Sequence, residues 1–381
     1  MRVALLNGRV LQEDALVEGQ CVLLEGARIA AILDADDPRC RSAQRYDLGG
    51  GLLLPGFIDS QVNGGGGVLF NDEPNVAAIR AIGAAHRRFG TTGFLPTLIS
   101  ADLDVVARAI AAVRSAIQAR VPGVLGLHIE GPYLSAARKG VHDPAKLREL
   151  DASALGLLTS LREGRTLVTL APEVTTPEII ARLVAAGVVV SAGHTNATYA
   201  EIEPALRHGL TGFTHLFNAM SQLTGREPGA VGAALSDPGS WCGIIVDGVH
   251  TDPVVLRIAL KCKPHERFML VTDAMPSVGT HNASFVLQGR RITVKGYVCV
   301  DEDGTLAGSN IDMASSVRNA MSMLGLPLSV AVRMASQWPA EFLGLGKSCG
   351  RIAPGYRANL VLADEQLNVR ETWIDGQPSK P

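Results

Sequence analysis

From residue 52 to residue 272 the sequence alternates short apolar runs with Ala-rich amphipathic stretches, and the apolar runs number eight. They cover 52–58, 92–98, 124–129, 166–170, 188–192, 212–215, 241–246 and 268–272. Stretches such as 101–120, 176–186 and 252–262 fill the intervals with helical periodicity. Strands that alternate with helices are joined by crossovers, so the sheet they build is parallel. Eight such units make a closed (β/α)8 TIM barrel, and that α/β fold is the expected architecture.

Polar residues give this barrel a direction. Glu130, His194, His215, Asp247 and Asp273 each close an apolar run, just before Gly or turn-forming residues. Chemistry collects at the carboxyl ends of barrel strands, where loops vary without disturbing the packed interior.

Outside the barrel the pattern is different. Residues 1–51 read as short strands at 3–6, 8–11, 21–25 and 28–32, separated by Gly, Asn and Asp. Residues 350–381 look alike, with strands at 358–362 and 369–374. The two ends are expected to form one small β-sandwich domain beside a catalytic barrel of residues 52–349. Within 275–310, β-like segments at 284–287, 291–294 and 297–300 predict a hairpin insertion over the barrel mouth. Two helices, near 311–324 and 328–343, lead back to the β domain.

Composition narrows the function. With 47% hydrophobic and 19% charged residues the chain can bury a large core, which excludes disorder. Its 35 basic and 37 acidic residues nearly cancel, so neither nucleic acid nor membrane is an expected partner. No apolar run approaches the roughly 18 residues of a membrane span, and the first residues are too short an apolar run for a signal peptide. Six cysteines (Cys21, Cys40, Cys242, Cys262, Cys299 and Cys349) form no CxxC pair and are expected as reduced thiols of a cytoplasmic protein.

Side chains two apart on a strand share a face, so His128 and Glu130 point the same way. Glu130, His194 and His215, at the ends of the third, fifth and sixth strands, could converge on one ion. Two imidazoles and a carboxylate with one open position are a catalytic zinc set. One divalent metal per subunit is expected, zinc first, with iron, manganese or cobalt as alternatives. Singly, each of the three is as readily a satisfied core polar group. His128 lies one layer deeper. Asp273 could exchange protons beside such a metal or simply cap a helix. His142 could polarise a carbonyl or be a solvated loop residue. Arg226 suits phosphate but a loop arginine is usually surface, and His250 is equally ambiguous. His86, His208, His265 and His281 read as structural, and Gly64–Gly67 lacks the GK[ST] ending of a phosphate loop.

Seven motifs together resemble the N-acetylglucosamine-6-phosphate deacetylase family of the amidohydrolase superfamily, over nearly the whole chain. They are Pro55-Gly56-Phe57-Ile58-Asp59, His128-Ile129-Glu130-Gly131-Pro132, Ser191-Ala192-Gly193-His194-Thr195, Thr214-His215-Leu216-Phe217-Asn218-Ala219-Met220, Asp247-Gly248-Val249-His250, Thr272-Asp273-Ala274-Met275 and Leu306-Ala307-Gly308-Ser309. The resemblance implies hydrolysis of an acetylated phosphosugar, the gluco epimer first and the galacto epimer as alternative. It also implies a homodimer or homotetramer, metal ligation by Glu130, His194 and His215, and acid/base work by Asp273. Catalytic help from His142 follows too, with substrate contacts at Val141, His142, Asn218, Ala219, Arg226, His250, Leu306, Ala307 and Gly308.

The resemblance departs from the wider superfamily at Gln61-Val62-Asn63, where many members carry a His-x-His pair for a second metal. Carboxamides are poor ligands for such ions, so a single metal is expected, as in family members that share this variant. A cyclic-amide hydrolase would want the His-x-His pair and a lysine on the fourth strand, and 166–170 offers none. A non-catalytic binding barrel would tolerate loss of ligands, yet all three ligands and Asp273 are present.

Overall fold

The computed structural model describes residues 2–379. Eight parallel strands form the barrel: β1 (Phe57–Val62), β2 (Thr91–Ile99), β3 (Gly126–Glu130), β4 (Arg165–Leu170), β5 (Val189–Ala192), β6 (Gly212–Phe213), β7 (Trp241–Ile244) and β8 (Phe268–Leu270). Each pairs with its sequence neighbour, so the hydrogen-bonded order runs unbroken from β1 to β8. Their residues are almost all buried because helices cover the outside and side chains fill the inside.

The helices follow from local chemistry. Asn75 caps Val76–Arg87 by accepting from the Ala78 amide, and Ile79 and Ile82 turn inward. Thr176 caps Pro177–Ala185, whose Pro sits where its missing N–H costs nothing, and Ile180 and Leu183 are buried. Each such side chain contributes about 1.5–3 kcal/mol on burial.

The first barrel strand is not the run 52–58 expected from the sequence. Leu52–Pro55 leaves the barrel and joins a six-stranded sheet with Arg9–Gln12, Ala15–Val17, Leu360–Ala363, Val369–Ile374 and Gln377–Ser379. The break is at Gly56, where a Cβ would lie 2.1 Å from Thr92 Oγ1, so only glycine passes between the two sheets. Arg2–Leu6, Gln20–Glu25, Arg28–Asp34 and Gln44–Asp47 form a separate four-stranded sheet. Strands from both ends of the chain therefore share one sheet.

Two further differences are informative. The insertion carries a fourth strand, Leu306–Ser309, beyond Ser284–Leu287, Arg290–Lys295 and Val298–Val300, and is a four-stranded antiparallel sheet rather than a hairpin. Cys21 and Cys40, expected as free thiols, form a disulfide. The short helix Pro38–Arg41 packs on Gln20–Glu25 across a small core with Ala4, Leu6 and Leu23, a contact that residue spacing does not reveal. Among the described residues, no helix is long and apolar enough to cross a membrane.

Candidate active site

Glu130 is the last residue of β3, and His194, His215 and Asp273 follow β5, β6 and β8 within three residues. The latter three adopt left-handed backbone, with φ of 47°, 34° and 52°. Such angles cost a non-glycine residue free energy and are retained where the surroundings over-determine them. At His215 they turn the chain sharply off the strand, helped by Phe217 and Ala219 at φ 78° and 47°.

The three expected ligands meet. His215 Nε2 lies 2.9 Å from Glu130 Oε1 and 3.1 Å from His194 Nε2, and His194 Nε2 is 3.4 Å from the same carboxylate oxygen. Donors bound tetrahedrally to one ion at about 2.0–2.1 Å would lie roughly 3.3 Å apart, close to these separations. All three residues are buried. His194 Nδ1 is 2.8 Å from the Arg138 carbonyl, which can only accept, so the proton sits on Nδ1 and Nε2 presents a lone pair. The donor set fits a divalent cation, and this group is able to hold one.

Burial pushes the Glu130 carboxyl up, but the neighbouring His194 and His215 imidazoles outweigh it and hold the group well below the usual range. Beneath lies a polar belt. His128 bridges Thr97 Oγ1 at 3.1 Å and Thr169 Oγ1 at 2.8 Å, and Thr169 continues to Thr214 and Ser191. Burial depresses His128 to about 4, so it stays neutral and supports the ligand layer without joining it.

Asp273 faces this group, and Gln61 and Asn63, where a second metal is not expected, bind it instead. Gln61 Nε2 donates to Asp273 Oδ1 at 3.1 Å and to Glu130 Oε1 at 3.1 Å. Asn63 Nδ2 donates to the same Asp273 oxygen at 2.6 Å. One oxygen of Asp273 is thus fixed by two amides, leaving Oδ2 for chemistry. Burial and then the Glu130 charge push its carboxyl up to about 6. Gly308 leans on this segment: a Cβ there would meet Met275 Cγ at 2.7 Å and the Asp273 carbonyl at 2.8 Å.

His142 is tied to Ser100, 42 residues earlier. The Ser100 amide donates to its Nδ1 at 3.3 Å and the Ser100 hydroxyl lies 2.8 Å from it. An amide cannot accept, so Nδ1 is the acceptor and Nε2 carries the proton. Burial holds the ring well below its ordinary pKa, and the His194 ring lies tilted against it with centroids 4.4 Å apart. His142 is therefore a neutral N–H donor.

These groups line one cavity of about 370 Å³ at the barrel mouth, with Val141, Asn218, Ala219, His250, Leu306, Ala307 and Gly308. Asp247 does not line it; its Oδ2 takes His250 Nδ1 at 2.5 Å and orients that ring. Arg226 is the one expected contact the cavity lining lacks, and it lies exposed in the loop after β6. Sequence reading missed Arg138 and Ser100, and it noted Asn63 without its bond to Asp273.

A parallel barrel with imidazoles and a carboxylate at its strand ends, opposite a second carboxylate and a neutral histidine, defines the class of metal-assisted hydrolases. Comparisons with known proteins narrow it. Residues 52–378 match the amidohydrolase family. An N-acetylgalactosamine-6-phosphate deacetylase of Shewanella sp. (strain ANA-3) is 45% identical over 349 residues, 92% of this chain and 87% of that protein. The N-acetylglucosamine-6-phosphate deacetylase of Homo sapiens is 37% identical, covering 98% of this chain and 93% of the relative. The crystal structure of N-acetylglucosamine-6-phosphate deacetylase from Pasteurella multocida superposes with a TM-score of 0.96 at 36% identity, over 100% of both chains. The chain belongs to the amidohydrolase family, in the branch that holds these amino-sugar-phosphate deacetylases.

Proposed function

We propose that this chain hydrolyses the N-acetyl group of N-acetyl-D-glucosamine 6-phosphate, giving acetate and D-glucosamine 6-phosphate in amino-sugar catabolism. One observation carries the reading: Asp273, neutral His142 and the Glu130, His194 and His215 group line a single cavity. A divalent metal held by those three residues supplies, when bound, a Lewis acid that acidifies water toward a pKa of about 7 and polarises an amide carbonyl. His142 donates from Nε2 to the acetyl oxygen and stabilises the charge that develops there. Asp273 takes a proton from the attacking water and delivers it to the departing nitrogen. Water is thereby divided between acetate and amine.

Two imidazoles and one carboxylate favour zinc, with iron, manganese or cobalt as alternatives. One ion per chain is expected, because the amides of Gln61 and Asn63 are committed to Asp273 and Glu130. Elemental analysis of active protein checks this, and two ions per chain, both required for turnover, would overturn it.

The phosphate is assigned to Arg226 and His250. Arg226 is exposed in the loop that also carries cavity-lining Asn218 and Ala219, and His250 is pinned at Nδ1 by Asp247. A hydrogen bond to a charged group contributes about 1.5–3 kcal/mol, roughly 10- to 150-fold. Arg226→Met should lower kcat/KM for the phosphorylated sugar by that factor and leave unphosphorylated N-acetylglucosamine nearly unchanged. Equal losses on both sugars would assign the arginine to the fold.

The galacto epimer is the second reading, favoured by the 45% identity to the Shewanella enzyme. Acetate release from the two epimeric 6-phosphates separates them, and the gluco reading requires the larger kcat/KM on N-acetylglucosamine-6-phosphate. A cytoplasmic homodimer or homotetramer completes the proposal. Val254 and Ile258, one helical turn apart and 53% and 56% exposed, offer an apolar stripe for a second copy.

A further inference from the structure

We propose that Asp59 is a positioning residue for Asp273, setting the backbone that aims the acid/base carboxylate from the seam where the barrel closes. This rests on the acid/base reading of Asp273 given above.

Hydrogen-bonded ladders join every successive pair of barrel strands from β1 to β8, but among the described residues none joins β8 back to β1. The gap is closed just beyond the strands, by the segment that holds Asp273. Its amide donates to the Gln61 carbonyl at 3.0 Å, and the amides of Asn63 and Gly64 donate to the Ala274 carbonyl at 2.9 and 3.0 Å. Asp59 sits at the centre of this closure and is wholly buried. Its Oδ2 accepts the Thr272 hydroxyl at 2.5 Å, and its Oδ1 accepts the amides of Thr272 at 3.3 Å and Gln61 at 3.2 Å. The same Thr272 oxygen accepts the Ala274 amide at 3.2 Å.

Asp59 thus fixes residues 272 and 274 on either side of Asp273, together with the backbone of Gln61, whose side chain donates to Asp273 Oδ1. Asp273 itself stands at φ 52°, an angle an L-residue keeps only under constraint. Desolvating a carboxylate this deeply is costly, and burial pushes its pKa up to about 7. An apolar side chain would pack the site more cheaply but would release the Thr272 hydroxyl and two amides at once. The Asp59 carboxylate makes no bond to Glu130, His194 or His215; three of its contacts converge on Asp273, and Gln61 alone also reaches Glu130, which is why metal content is measured beside turnover.

The test measures kcat, KM and metal content of metal-loaded, full-length protein on N-acetylglucosamine-6-phosphate. Asp59→Asn cannot accept the Thr272 hydroxyl at its amide nitrogen, and a displaced catalytic group can cost on the order of 10²-fold. Turnover should fall by about that factor while KM stays within about threefold and metal content is unchanged. Thr272→Val should reproduce the loss and Thr272→Ser should restore turnover; this pair decides the matter if Asp59→Asn does not fold. Combining Asp59→Asn with Asp273→Asn should add no loss beyond Asp273→Asn alone. An unchanged kcat in Asp59→Asn, or the same fractional loss in both backgrounds, would overturn the positioning role while leaving the acid/base reading intact. Full turnover in Asp273→Asn would instead remove both.

Discussion

Replacing His215 with alanine is expected to abolish turnover, by on the order of 10⁴-fold or more, because the water-acidifying ion leaves with its ligand. The site shows why one ligand suffices. His215 Nε2 is the atom nearest both Glu130 Oε1 and His194 Nε2, at 2.9 and 3.1 Å, so its removal opens the middle of the donor set. Glu130 would remain buried with His194 as its imidazole partner at 3.4 Å. Uncompensated buried charge is destabilising, by about 3–5 kcal/mol when a pair is broken, so the melting temperature should fall as well. Elemental analysis and acetate release measure the two effects together. Retention of metal with full activity would show that the group does not hold the catalytic ion.

Asp273→Asn carries the second largest effect. General acid–base catalysis is typically worth 10²–10⁴-fold, and a loss in that range is expected in kcat. Fold and metal content should survive, since the asparagine carbonyl can still accept from Gln61 and Asn63, which reach Asp273 at 3.1 and 2.6 Å. A pH profile adds a sign. The base must start ionised, and burial with the Glu130 charge pushes Asp273 up to about 6. Activity should therefore fall as pH drops through about 6, or lower once a cation sits nearby. Turnover within about tenfold of wild type, below the range general acid–base help provides, would return Asp273 to a structural role.

The alternation of strands and helices was legible because burial on both faces leaves a local signature in each apolar run. The placement of Glu130, His194, His215 and Asp273 was legible for a related reason: a polar residue ending an apolar strand stands out against its neighbours. Short strands were not. Ala15–Val17 is too brief to show a period, Gln44–Asp47 and Gln377–Ser379 are both brief and polar, and all three exist because a neighbouring edge receives them. The run 52–58 looked continuous, since hydrophobicity alone does not record that Gly56 passes Thr92 closely enough to split it between two sheets.

What the sequence determined by itself was the inventory: which residues could ligate, donate or exchange a proton, and that a barrel would gather them. Tertiary structure alone decided their states. His142 is a neutral Nε2–H donor because Ser100, 42 residues away, supplies an amide to Nδ1. Asp273 is oriented by Gln61 and Asn63, 212 and 210 residues away. Asp59 acts on residues 213 positions later, across a seam that exists only once β8 returns to β1. Protonation and orientation depend on partners brought within about 3 Å and on the exclusion of water. Both arise when the barrel closes, so a linear reading could name the groups but not set their charge or aim.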